Sequence, residues 1–186
     1  MVKRRNKYTD LELFLALKKS KAEAEMAFAE IYARYSHRVF AYCHKVSSTP
    51  QDAQDLFQDT FTKFFSSAQT RNTIGNMFGF ILKISRNIHL NQKRDKKIFV
   101  NIDSLEIANA ESDPKRLELK EVLTLSLEML EFEYREVFVL RHYQGLSYTE
   151  IADITGLSIP TLKNRYWRAK EMLRTALTPY FDNMSN

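Results

Sequence analysis

A chain of 186 residues, 44% of them apolar but with only 4 Gly and 4 Pro, has material for a packed core and few of the residues that tight turns between strands require; this argues against a β-rich fold and for helices on short connections. Lys and Arg number 28 against 23 Asp and Glu, a net +5 that permits nucleic acid as a partner without requiring it. The single cysteine, Cys43, excludes an internal disulfide framework and a thiolate zinc site, and no apolar stretch reads as a signal peptide or a bilayer span, so the chain is expected in the cytoplasm without membrane insertion.

The apolar period is helical nearly throughout. Thr9 and Glu12 form a capping box that predicts a short helix over about 10–19. Phe28, Ile31, Tyr32, Tyr35, Val39, Cys43 and Val46 mark one face of a long helix over about 22–47. Thr49 caps the next helix, with Pro50 in its first position; Ala53, Leu56, Phe57, Phe61 and Phe64 are its buried stripe. A polar loop follows at 67–75, and Met77, Phe80, Ile81, Ile84 and Ile88 open a helix to about 97. The pattern then breaks. Residues 99–114 lack a helical stripe and include Pro114; from Asp103 to Glu121 there are six acids and three bases, 3 − 6 = −3. The expectation is an all-α protein of two helical modules, 1–98 and 115–186, joined by an acidic linker at 99–114. In the second module, helices are expected at about 115–130 and 133–142. Ser147 and Glu150 form another capping box, Gly156 ends that short helix, and Ser158 caps the last one.

Two short helices on a glycine-containing turn make a helix-turn-helix. Ala152 is the small residue where the helices cross, Gly156 supplies the positive φ, and Ile151, Ile154, Leu157 and Leu162 supply a small core. On a helical wheel Leu162, Ala169, Leu173 and either Tyr166 or Trp167 turn inward. Thr161, Lys163, Asn164, Arg165 and Arg168 fall on outward and flanking arcs of the N-terminal half, where a recognition helix carries its base-reading and phosphate-binding groups. Five bases and one acid between Ser158 and Arg174 give 5 − 1 = +4. An ordinary solvated basic helix is the plain alternative.

A second basic stripe runs through Lys83, Arg86, Asn87, Leu90, Arg94 and Lys97, and six bases meet one acid between Ile81 and Lys97, 6 − 1 = +5. The preceding helix has the opposite character: Asp52, Asp55 and Asp59 share a face. That face fits a docking surface for a basic protein, or simply a solvated surface. A metal site would need a second acidic cluster on a facing helix, and no such cluster is evident, so neither metal nor cofactor is expected. No P-loop, His-Glu-x-x-His or nucleophile motif points to an enzyme, and no catalytic residue is assigned.

These residues resemble the bacterial RNA polymerase sigma factors of the compact extracytoplasmic-function type, which keep only regions two and four. "AFAEIYARYSHRVF", "DAQDLFQDTFTKFF" and "FILKISRN" are similar to region two, and "REVFVLRHYQGLSYTEIADITGLSIPTLKNRYWRAKEML" to region four nearly end to end. The resemblance implies a factor that binds core RNA polymerase and directs promoter recognition and transcription initiation. It implies docking on the polymerase clamp through Asp52, Asp55, Leu56, Gln58 and Asp59, the last four exposed. It implies an extruded −10 base near Gly75 and Asn76, the same DNA along Lys83, Arg86 and Asn87, −35 reading by the last helix, and Arg141 near phosphate. Its partners would be core polymerase, promoter DNA and, in regulated members, an anti-sigma factor. Phe80 stands where the family usually has Trp, the usual Pro before region four is absent from "LEFEYREVF", and Pro160 replaces a small or polar residue. A stand-alone helix-turn-helix regulator is the competing function, although no ligand or phosphoacceptor module is visible in the first hundred residues.

Overall fold

The computed structural model describes residues 7–96 and 122–184, and every regular element among them is helical. In chain order these are α1 Asp10–Ala16, α2 Lys21–Val46, α3 Pro50–Thr70, α4 Met77–Lys96, α5 over 122–128, α6 Phe132–Phe138 running into a π turn Val139–Tyr143, α7 Tyr148–Thr155 and α8 Ile159–Met184. The expected linker at 99–114 and the first residues of the helix expected at 115–130 lie outside the described residues.

Local chemistry sets most helix starts. Thr9 with Glu12 and Ser147 with Glu150 form the two expected capping boxes, and Ser20 with Glu23 forms a third at the head of α2. Thr49 Oγ1 accepts from the Asp52 amide at 3.0 Å, and Asn76 Oδ1 accepts from the Gly79 amide at 2.9 Å, so Asn76 starts α4. Each cap satisfies amides that would otherwise have no partner and is worth about 1 kcal/mol. Three boundaries differ from expectation: α1 ends at Ala16, α3 runs to Thr70 into the expected polar loop, and the helix expected at 133–142 widens into a π turn after Phe138. In that turn the Gln144 amide reaches Val139 O at 3.0 Å, five residues back.

Helices α2, α3 and α4 pack around Ile31, Val39, Tyr42, Leu56, Phe64 and Ile81, each fully buried. Burying each large apolar side chain contributes about 1.5–3 kcal/mol. Leu13, Phe14 and Leu17 seal α1 against this bundle, while Arg34 clamps it from outside, bonding Asp10, Glu30 and the Tyr8 carbonyl. Phe80 meets the edges of Phe14 and Phe64 at 6.4 and 6.0 Å between centroids, so this position is filled by packed aromatic core. The buried apolar cluster does not stop at the end of α4. It continues through Val137, Val139, Leu140, Leu146, Ile151, Ile154 and Leu162, so the helices on either side of the expected linker share one core. A smaller cluster of Leu127, Leu130, Phe138, Ala169 and Leu173 holds α5 and α6 against α8.

Candidate nucleic-acid and partner interfaces

The α7–α8 pair has helix-turn-helix geometry. Gly156 adopts φ 75°, a left-handed conformation that favours glycine, and its amide bonds Ala152 O at 2.8 Å. Ile151, Ile154 and Leu162 are buried beneath the turn, with Ala152 and Leu157 packed at the edge. Of the two adjacent aromatics Tyr166 turns inward, stacking on Phe138 at 5.8 Å, and Trp167 turns outward with 61% of its surface exposed. Lys163, Asn164 and Arg168 are exposed beside it. Thr161 is half-buried and joins the helix cap, its hydroxyl 2.8 Å from Ser158 Oγ. Arg165, expected on the outward and flanking arcs, lies on a covered flank: it is half-buried and ion-paired with Glu133 of α6, because α6 packs along that side of α8. Arg141 lies on the π turn, donating to Leu146 O at 2.7 Å and lying 5.0 Å over the Tyr148 ring, where it braces the approach to α7.

The basic stripe of α4 is partly covered: Lys83, Asn87 and Arg94 are exposed and Arg86 is half-buried, while Lys97 lies outside the described residues. Lys83 is exposed but its Nζ donates to the Asp153 carbonyl of α7 at 2.9 Å. Arg86 turns toward α6, with Nε 3.0 Å from Glu136 Oε1; the N–H is poorly aligned for a hydrogen bond, so the pairing is chiefly coulombic. Tyr42 donates to the same Glu136 oxygen at 3.0 Å. Burial pushes the Glu136 carboxyl above its ordinary value, opposed by the Arg86 charge and the Tyr42 hydroxyl. Asn76 caps α4 and also donates to Glu150 at 3.1 Å. Asn87 remains exposed. A cavity of about 460 Å³ lies between residues 71–76 and α7, walled by Asn72, Asn76, Phe80, Lys83, Glu150 and Asp153.

On α3, Asp55, Gln58 and Asp59 are exposed and Asp52 is half-buried. Leu56 is a correction: expected both in the buried stripe and on the exposed docking face, it has 0% exposure, since the helical period puts it in line with Ala53 and Thr60 under α2. Sequence reasoning missed the aromatic strip beside these acids. Phe40, Tyr32 and Phe65 are 43%, 41% and 39% exposed, and the Phe40–Phe57, Tyr32–Phe61 and Phe28–Phe65 centroids lie 5.4, 4.9 and 5.7 Å apart. The signal was present, because adjacent Phe64 and Phe65 cannot both face one core. Among the described residues no group of three or more His, Cys, Asp or Glu is placed to hold a metal, and no helix is long and apolar enough to cross a membrane.

A helix-turn-helix with a basic, aromatic outer ridge stands beside a second basic helix and an acidic helix that carries exposed aromatics, the features of a helical DNA-binding protein. Residues 31–98 match the Sigma-70 region 2 family and residues 120–173 match Sigma-70, region 4. The chain is 27% identical over 160 residues to the ECF RNA polymerase sigma factor SigE of Mycolicibacterium smegmatis, covering 81% of this chain and 62% of that one. It is 24% identical over 177 residues to the ECF RNA polymerase sigma factor SigW of Bacillus subtilis, covering 87% and 94%. The sigma factor RpoE of Bartonella quintana, solved with the anti-sigma factor NepR, superposes with a TM-score of 0.72 at 27% identity over 81% of this chain and 96% of that one. CnrH, solved with the cytosolic domain of CnrY, gives 0.68 at 25% identity over 91% and 97%. The chain belongs to the sigma-70 family as a sigma factor of the extracytoplasmic-function type, and its function is promoter-directed transcription initiation.

Proposed function

We propose that this sigma factor divides its work among three surfaces. Asp52, Asp55, Gln58 and Asp59 on α3, with the neighbouring exposed aromatics, dock on core RNA polymerase; a negative rim around apolar rings suits a partner helix carrying basic and apolar residues. Asn76, Lys83, Arg86 and Asn87 serve the −10 element. Lys163, Asn164 and Arg168 face the −35 major groove, Thr161 lies at the helix start nearest the bases, and Arg165 and Arg141 steady the motif at its phosphate edge. Residues 1–98 and 115–186 act as separate modules on the promoter, with 99–114 between them. The factor performs no chemistry of its own, acts in the cytoplasm beside the polymerase, and presents surfaces that an anti-sigma factor can cover.

The observation that carries this reading is the outer ridge of α8. Lys163, Asn164, Trp167 and Arg168 stand free of the core on the second helix of a correctly turned helix-turn-helix. The test is selection of duplexes from a random library by the polymerase complex, followed by footprinting. Enrichment of two separated elements supports the assignment. Enrichment of a single element, bound equally well without polymerase, favours a stand-alone regulator.

A further inference from the structure

The loop between α3 and α4 is held at its two ends by different groups. Asn76 fixes the far end, bonding the Gly79 amide and Glu150. The near end is fixed from the connection between α1 and α2: Lys18 Nζ donates to the Arg71 carbonyl and, at 3.1 Å, to Asn72 Oδ1. We propose that Lys18 is a positioning residue for the −10 element: it ties down the carbonyl oxygen of Asn72, so that the loop meets an extruded base with amide N–H donors and selects against a base edge that needs an acceptor. The proposal rests on the assignment of Asn76 and its neighbours to the −10 element.

The end of α3 calls for a cation that α3 does not supply. Its last carbonyls have no partner within the helix and form the negative end of the helix dipole, yet its last turn contains no basic residue. Lys18 brings that charge from outside. Its own backbone is well placed to do so, because the preceding residue, Leu17, is 1% exposed and its carbonyl accepts from Gln69 Nε2 of α3 at 3.0 Å. Lys18 is half-buried as a result. Residues 72–75 make no other hydrogen bond among the described residues. Ile74 packs on the core and the Arg71 guanidinium lies 4.7 Å over the Phe80 ring, but neither contact sets the rotation of the Asn72 amide. Lys18 does.

The consequence for a base follows from the protons each group carries. An ammonium donates and does not accept, so the amide atom beside Lys18 is the oxygen. Asn72 is then left with two N–H donors, and it is exposed on the wall of the cavity of about 460 Å³ together with Asn76 and Phe80. A free asparagine reads adenine by offering its oxygen and its nitrogen together. With the oxygen held, that paired contact is lost. An extruded base is read at its hydrogen-bonding edge, so one that presents a ring nitrogen and a carbonyl as acceptors is favoured over adenine.

The test repeats the selection of duplexes from a random library by the polymerase complex, with the full chain as wild type, Lys18→Met, Lys18→Arg and Asn72→Ala. Circular dichroism follows the thermal unfolding of each. In wild type one −10 position discriminates against adenine by roughly tenfold, the scale of one base contact. Lys18→Met flattens the preference at that position and leaves the −35 preferences in place. Lys18→Arg retains it, since a guanidinium is also donor-only. Asn72→Ala loses it at the same position. A Lys18→Met selection identical to wild type, with Asn72→Ala still flattening one position, overturns the role of Lys18. So does a Lys18→Met protein with a lowered melting temperature and weakened preferences throughout both elements, because that is a general loss of structure. A selection that Asn72→Ala leaves unchanged at every −10 position removes the loop from base reading and overturns the proposal together with that assignment, so the two failures are told apart.

Discussion

Arg38 and Gln144, 106 residues apart in the chain, bond to each other's main-chain carbonyls. Arg38 Nη2 donates to Gln144 O at 2.7 Å, and Gln144 Nε2 donates to Arg38 O at 3.2 Å. The Arg38 guanidinium also lies 3.7 Å from the centroid of Phe78. This pairing is made possible by the π turn, which shifts the register after Phe138 and brings Gln144 down onto α2. Gln144→Ala removes one of the two bonds at a site only 7% exposed, and the expected loss is about 1–3 kcal/mol in a urea titration. Lys163→Ala, on the exposed ridge, serves as the control and is expected within about 0.5 kcal/mol of wild type.

Mutation can separate the proposed docking face from the core beneath it. Asp55→Arg with Gln58→Ala reverses one charge and removes one amide at exposed positions, and is expected to abolish co-purification with core polymerase while the thermal transition stays put. Leu56→Ala, one residue further along α3, is expected to cost about 2–5 kcal/mol of stability through the cavity it leaves. A Leu56→Ala protein as stable as wild type would contradict its burial.

On α8 the bases divide into two groups. Arg168→Ala is expected to weaken binding of −35 duplex by about 1–3 kcal/mol if Arg168 reads a base, with sequence preference relaxed at one position and the melting temperature unchanged. Arg165→Ala is expected to lower stability as well, since it unpairs Glu133 on a half-buried flank. Measuring melting temperature and duplex affinity for both variants distinguishes a groove contact from a brace. Equal effects on both readouts would contradict the division.

The pH dependence of the helix-turn-helix follows from Glu150. Bonds from the Ser147 amide and hydroxyl hold its carboxyl below the ordinary 4.5, with Asn76 adding to the effect. A depressed folded pKa means that the charged form stabilises the fold above the ordinary carboxylate range, and that this contribution is lost as pH falls through the folded value. Glu150 is expected to titrate below 4.5 by NMR, and Ser147→Ala to move it back toward 4.5. A midpoint at or above 4.5 in wild type would show that the capping box is not formed in solution.

Sequence reasoning succeeded where the physics is local. The capping boxes at Thr9 and Ser147, the Pro50 start, and the left-handed Gly156 each depend on residues within a few positions, so their spacing carries the information. It failed where tertiary contact decides. Glu136 sits in "FEYREVF" like any solvated helix acid, and only the arrival of Arg86 and Tyr42 from other helices makes it a buried partner. Arg165 lies on a flanking arc of the wheel, and α6 determines that this flank is covered. Tyr166 and Trp167 are neighbours with equal claims to the core; the ring of Phe138 accepts the first. The π turn was missed because its wider turn changes the phase of the apolar pattern after Phe138 by only one residue, which a uniform helical period over 133–142 reads across.

The most direct measurement is multi-round transcription by purified core polymerase with and without the full chain, on a template carrying the two elements recovered by selection. A promoter-directing factor yields a discrete transcript that requires the chain, disappears with the Asp55→Arg, Gln58→Ala double variant, and is lost when either element is scrambled. Tight binding of the chain alone to the same template, with no transcript that depends on it, would contradict the account.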